Sequence, residues 1–196
     1  MGNAFLTNPL VFLIQAVLGL CAGVVVVRFL LQLLRADFYN PVSQLIVKLT
    51  SPVLNPLRHI IPGYGGVDVA SILLAWGLKS IELALVLLVS GFSFNPLGPL
   101  AWAWPELVGL VFTIFIVAIF VQAILSWLGP RGYNPADALL HALTRPILHP
   151  LQRIIPPVAG LDLSPVAAIL GLIALKMLVV EILQALTGSP FAHLVR

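Results

Sequence analysis

Thr50 to Pro62 reads TSPVLNPLRHIIP, an apolar run with proline at 52, 56 and 62. Thr144 to Pro156 reads TRPILHPLQRIIP, with proline at the three corresponding places. Proline inside a helix removes a backbone hydrogen bond, and its ring clashes with the preceding turn. A break made twice in the same way is a design feature of the chain.

The two stretches lie 94 positions apart, as do Tyr39-Asn40-Pro41 and Tyr133-Asn134-Pro135. That offset carries on without a gap. Leu54, Leu57, Ile60 and Ile61 meet Leu148, Leu151, Ile154 and Ile155, and Gly66 and Asp68 meet Gly160 and Asp162. About half the positions from Tyr39 to Asp68 are identical to their counterparts, far above chance for a fixed offset.

Of 196 residues, 60% are hydrophobic and 9% charged, with a formal charge of +3. Mean hydropathy is +1.09. A soluble domain is charged at about a quarter of its positions, so this composition excludes an ordinary water-soluble globule. The basic residues are dispersed, which excludes a nucleic-acid patch. Cys21 is the single cysteine and forms no internal disulfide. MGNAFLTNPL has no basic residue before the apolar run, which argues against a cleaved signal peptide.

A transmembrane helix needs about 20 apolar residues. Four stretches qualify, at about Pro9–Leu34, Val67–Phe92, Pro105–Leu128 and Leu161–Leu186. The loop after the first carries Arg35, Lys48 and Arg58, and the loop after the third carries Arg131, Arg145 and Arg153. The opposite side holds only Arg196. By the positive-inside rule both long loops face the cytoplasm and both termini face outward.

The expected fold is therefore an all-α membrane protein of four transmembrane helices. They form two tandem hairpin repeats, residues 1–98 and 99–196, each with a Pro-broken amphipathic cytoplasmic connection. Repeats of two spans enter and leave on one side, so they are parallel.

From Val42 to Ile61 the apolar residues fall three and four apart, the stripe of an amphipathic helix. Asn40 before Pro41, and Asn134 before Pro135, read as N-caps with proline at the first helical position. Thr50 or Ser51 before Pro52 can repeat that start. The expectation is a chain of short helical pieces with bends at Pro52, Pro56, Pro146 and Pro150. Such a segment either lies in the inner headgroup layer or dips back between the spans.

RFLLQLLRADFYNPVSQLIVKLTSPVLNPLRHIIP with GGVDVASILLAW, echoed by LTRPILHPLQRIIPPVAGLDLSPVAAILGL, resembles the YggT family of small bacterial and plastid membrane proteins. The resemblance covers both halves. It implies an integral membrane protein without an established catalytic activity, associated in bacteria with osmotic-stress tolerance and cation homeostasis or with growth and division. In plastids it implies cytochrome assembly and nucleoid organisation. Gln122 and Gln152 stand where Arg28 and Arg58 stand in the first half.

A charge near the bilayer centre costs about 2.5–3.5 kcal/mol on insertion scales. Lys79, Glu82 and Lys176 lie mid-span, and Glu82 and Lys176 are equivalent under the offset. The expectation is that these two pair between the repeats, with Lys79 beside them, either as an inter-helix clamp or as the lining of an ion route. Glu181 falls near the outer end of its span. Arg28 is expected to snorkel inward or to pair with Asp68 or Glu82. Asp68 and Asp162 read as helix N-caps, with a cation contact or a bridge to Arg58 or Arg153 as the alternative. Gly19 and Gly23 suggest a homo-oligomer contact.

No metalloprotease, nucleophile-elbow or P-loop motif is present, and His59, His141, His149 and His193 are scattered. The chain reads as a non-enzyme. One reading is a membrane organiser whose partners are lipids and other membrane, division or assembly proteins. The other is an oligomeric cation channel or transporter component.

Overall fold

The computed structural model describes residues 9–61, 63, 66–93, 95–127, 134–155 and 162–189. Pro62 and Pro156 of the repeated motif lie outside the described residues, as do Arg131, Tyr133, His193 and Arg196. Six helices follow in order: α1 Pro9–Leu33, α2 Pro41–Ile60, α3 Val69–Val89, α4 Gly98–Trp127, α5 Pro135–Ile154 and α6 Ser164–Thr187. There is no strand among the described residues. The helices α1, α3, α4 and α6 are long and apolar enough to cross a membrane. The chain is a multi-pass membrane protein, with four candidate spans among the described residues.

The third span begins earlier than its apolar run suggests. Pro105 does not open it: the helix starts at Gly98 and carries a buried Pro105 inside it. At 1.5 Å per residue its 30 residues extend about 45 Å, well beyond a hydrocarbon core of about 30 Å. Trp76 of α3 stacks on Trp104 at 5.9 Å and donates its indole N–H to the Leu100 carbonyl at 2.8 Å, tying this extra length to α3.

The connections are not strings of short pieces. α2 is one 20-residue helix with Pro52 and Pro56 inside it, and α5 is one 20-residue helix with Pro146 and Pro150 inside it. The reason is placement. Prolines four apart share a helix face, and all four lie on the exposed face. There the carbonyls they deprive of a donor can turn to water or headgroups. Thr50 and Ser51 do not restart the helix. Their hydroxyls donate back to the Ile46 and Val47 carbonyls, at 2.7 and 2.6 Å.

The starts are as read. Asn40 caps α2 by accepting from the Val42 N–H at 2.9 Å, and Asn134 caps α5 by accepting from Ala136 at 3.0 Å. Proline follows at the first helical position in each. Asn40 does more, because its side-chain amide donates to the Pro135 carbonyl at 2.6 Å and joins the two helix starts.

α1 packs mainly on α3 and α4 mainly on α6, while α3 and α4 pack together. α2 lies across α1 and α3, and α5 across α4 and α6; α5 also reaches α1 and α2. One apolar cluster joins α1 (Val26, Leu30), α3 (Ala75), α4 (Leu107) and α5 (Leu139, Leu143). A second joins Ile119, Leu148 and Ala168 of α4, α5 and α6.

Replacing Asn40 by Ala removes a cap, worth about 1 kcal/mol, and a buried hydrogen bond of about the same size. Asn134→Ala removes the cap alone. Denaturation in detergent should show a loss of about 2 kcal/mol for Asn40→Ala and about half that for Asn134→Ala.

Candidate functional site

Two groups of polar side chains stand out on the spans. The first lies at the end that carries α2 and α5. Arg28, near the end of α1, is buried. Its Nη1 donates to the Thr50 and Ser51 hydroxyls and to the Val47 carbonyl, the last two at 3.3 Å. These hydroxyls pass their own protons to Ile46 and Val47, so their lone pairs are free for the guanidinium. Arg28 therefore neither snorkels nor pairs directly with Asp68 or Glu82. It clamps α2 onto α1.

In the second half Gln122 takes this place. Its side-chain amide contacts the Thr144 hydroxyl, which also lies 2.9 Å from the Leu140 carbonyl, and its other polar atom lies 3.1 Å from His141 Nδ1. The clamp recurs without the charge.

Next to it is the latch between α2 and α3. Asp68 is the N-cap of α3, as expected, accepting from the Ser71 amide and hydroxyl. It also forms an ion pair with Arg58, which donates in addition to Gln32 of α1 at 3.2 Å. Gly66, at φ +84°, supplies the left-handed turn that brings the chain into this cap. Burial raises the Asp68 pKa, but Arg58 and Ser71 outweigh it and hold the carboxyl below its ordinary value. The second latch is again neutral: Gln152, not Arg153, donates to Asp162 at 2.8 Å. Asp162 accepts from the Ser164 amide at 2.8 Å, one position before the N-cap residue Leu163. Burial raises its pKa as well, and the bonds from Ser164 and Gln152 bring it below its ordinary value.

The second group lies mid-span. Glu82 does not meet Lys176. Lys79 Nζ donates to Glu82 Oε1 at 3.0 Å and lies 2.9 Å from Oε2, and both residues are buried. Oε2 is off the hydrogen-bonding direction, so it is ion-paired without a hydrogen bond. A Cβ at Gly19 would stand 3.7 Å from Oε2 and 4.0 Å from Lys79 Nζ. Gly19 thus faces this pair within its own chain. At the equivalent position Thr113 donates to the Gly109 carbonyl at 2.8 Å and accepts from Lys176 Nζ at 2.9 Å. Glu82 and Lys176 each point at the first helix of their own hairpin. That geometry keeps them apart.

Lys48, Arg145, Arg153, His59, His141 and His149 are exposed on α2 and α5, and Glu181 is exposed on α6. A shallow cleft is lined by Leu34, Ala142, Arg145, Pro146, His149 and Pro150. Among the described residues no three His, Cys, Asp or Glu side chains converge as metal ligands would. Gln32, Ser51, Ser71 and Thr113 are hydrogen-bond partners of these charged side chains that the sequence reading did not assign. For Thr113 the signal was present, because it is the offset counterpart of Gly19.

The CCB3/YggT family model matches twice, over residues 7–89 and 101–183. The chain belongs to the CCB3/YggT family. It is 41% identical over 187 residues to the uncharacterised protein PA0392 of Pseudomonas aeruginosa, covering 94% of this chain and 95% of that one. It is 37% identical over 185 residues to the uncharacterised protein YggT of Escherichia coli, covering 93% and 94%. An uncharacterised Vibrio alginolyticus protein from the proC 3′ region is 40% identical over 172 residues, covering 84% and 90%. No solved structure matches.

Removing one member of a buried ion pair costs about 3–5 kcal/mol, whereas replacing both by neutral groups is close to neutral. Lys79→Met and Glu82→Gln should each lower stability by about 3 kcal/mol, and the double variant should recover most of that. Additive losses would exclude the pairing.

The depressed Asp68 pKa contributes stability that is complete above the ordinary carboxylate value and is lost as pH falls through the lower, folded value. The unfolding midpoint should therefore drop below about pH 4. Asp68→Asn should flatten that part of the profile. Arg58→Gln, which copies Gln152, should fold and lose part of the slope.

Proposed function

We propose that this family member is a non-enzymatic organiser or assembly factor of the bacterial inner membrane. It is built as two parallel tandem hairpin repeats with the α2 and α5 end in the cytoplasm and both termini outward. The positive-inside asymmetry of Arg35, Lys48, Arg58, Arg145 and Arg153 supports that orientation. The amphipathic connections then lie across the inner ends of the spans, since α2 is held by Arg28, five residues before the end of α1, and by Asp68 at the start of α3.

One observation carries the reading. In the first half Lys79 and Glu82 neutralise each other, and the buried Arg28 is held in place by hydrogen bonds to two hydroxyls and a carbonyl. What faces outward at that end is instead a rigidly clamped pair of amphipathic helices with exposed basic and apolar side chains. Such a surface suits lipid headgroups and membrane, division or assembly proteins. It needs no cofactor and makes no direct nucleic-acid contact. The link to osmotic-stress tolerance or to growth and division comes from the family resemblance.

A second reading, an oligomeric cation channel or transporter component, rests on Lys176. This mid-span cation is half-buried and hydrogen-bonded to a neutral hydroxyl.

Complementation of a deletion strain under hyperosmotic stress separates the two. The Lys79→Met/Glu82→Gln chain should restore growth as wild type does, and Arg145→Glu/His149→Glu should not. Purified protein in liposomes should give no cation flux above protein-free vesicles. Flux abolished by Lys176→Met would replace the first reading by the second.

A further inference from the structure

Besides the contacts of α1 with α4 and of α2 with α5, which pair equivalent helices, the two halves touch in only one of the two ways their equivalence allows. α3 packs on α4, and α1 meets α5. The exchanged contacts would be α6 on α1 and α4 on α2. Among the described residues neither pair approaches. A two-fold arrangement would contain both sets. The contact between the halves is therefore heterologous, and it leaves one copy of each contacting face uncovered.

The side chains follow the same division. Leu139 and Leu143 of α5 are 8% and 3% exposed, in one cluster with Val26 and Leu30 of α1, each 3% exposed. Their counterparts on α2, Leu45 and Leu49, are 56% and 62% exposed. The counterparts of Val26 and Leu30 on α4, Phe120 and Ile124, are 55% and 39% exposed. Knob and socket are both built in the second setting and both empty. The membrane-spanning part agrees. Leu107 is buried and Ile114 is packed against the same cluster, whereas their counterparts on α1, Leu13 and Leu20, are exposed. Leu83 of α3 is buried, and its counterpart Met177 of α6 is exposed.

Lipid alone would explain apolar exposure on the spans. An amphipathic α2 can also rest its stripe in the headgroup layer, but its exposed Leu45 and Leu49 are the counterparts of the leucines that α5 packs on α1. We infer that a second copy of this chain covers these faces: the α2 stripe of one copy seats on α4 of the other, and α1 of the one lies against α6 of the other. The interface repeats, between chains, the contact already made between halves. It differs from a Gly19–Gly23 contact, because Gly19 faces Lys79 and Glu82 of its own chain.

The test is disulfide cross-linking of the full chain in native membranes, in a Cys21→Ala background. Two differently tagged copies are co-expressed, one with Leu49→Cys and the other with Ile124→Cys. Leu45→Cys with Phe120→Cys is the second pair, should one of the first fail to insert. Leu88→Cys with Ile182→Cys is the control, since these equivalent residues are exposed in both halves, at 63% and 51%. The expected product carries both tags, runs at twice the 21.1 kDa chain mass, and forms at least about fivefold more than the control because the two thiols are held together. Cross-linking of both pairs at or below the control, as a face covered only by lipid would give, overturns the inference.

Discussion

Arg28 holds the rest of this structure in place. An amphipathic helix beside a transmembrane hairpin has no fixed position of its own, since its apolar stripe can slide over any greasy surface. A buried guanidinium removes that freedom, because it must find acceptors in fixed directions. Arg28 finds them in two consecutive hydroxyls and the carbonyl one turn earlier. That set exists at one register of α2 only. With Thr50 fixed against Arg28, Arg58 falls beside Asp68, and the latch to α3 follows. Desolvating the charge is costly, so the cluster stays put only while Nη1 keeps its acceptors.

The second half shows how much of this depends on charge. Gln122 and Gln152 replace both arginines, yet they contact the counterparts of the same residues, Thr144 and Asp162. Registration therefore comes from hydrogen-bond geometry, and an amide supplies it as well as a guanidinium does. The charge adds an electrostatic hold that a neutral amide lacks, and it shows in the ion-paired Asp68.

Much of the fold was legible because it rests on local chemistry. The four spans follow from apolar length, the helix starts at Pro41 and Pro135 from asparagine before proline, and the Asp68 cap from its place before an apolar run. Two readings failed for one reason. The continuity of α2 through Pro52 and Pro56 depends on which face those prolines take, and the partner of Glu82 depends on which neighbour its face meets. Both are questions of rotation about a helix axis. Sequence equivalence puts Glu82 and Lys176 at matching positions, but matching positions on two hairpins point into the two hairpins and not at each other. The counterpart pair Gly19 and Thr113, small in one half and hydroxyl-bearing in the other, carried that information.

The halves have diverged most where they are sealed. Lys79 neutralises Glu82 in the first half, and at the corresponding places the second half has Ile173 and Lys176. A single cation on a Thr113 hydroxyl is a weaker arrangement than an ion pair, since a neutral acceptor leaves the charge in place. The first half is thus electrically closed at mid-span and the second is not. The same asymmetry appears in packing, where α3 is sheltered by α4 while α6 stays open along most of its length. A lone charge and an uncovered helix in the same half belong together physically. The span with the smallest buried share is also the one whose charge has no counterion within the described chain, so whatever covers the open side of α6 alters the surroundings of Lys176 as well.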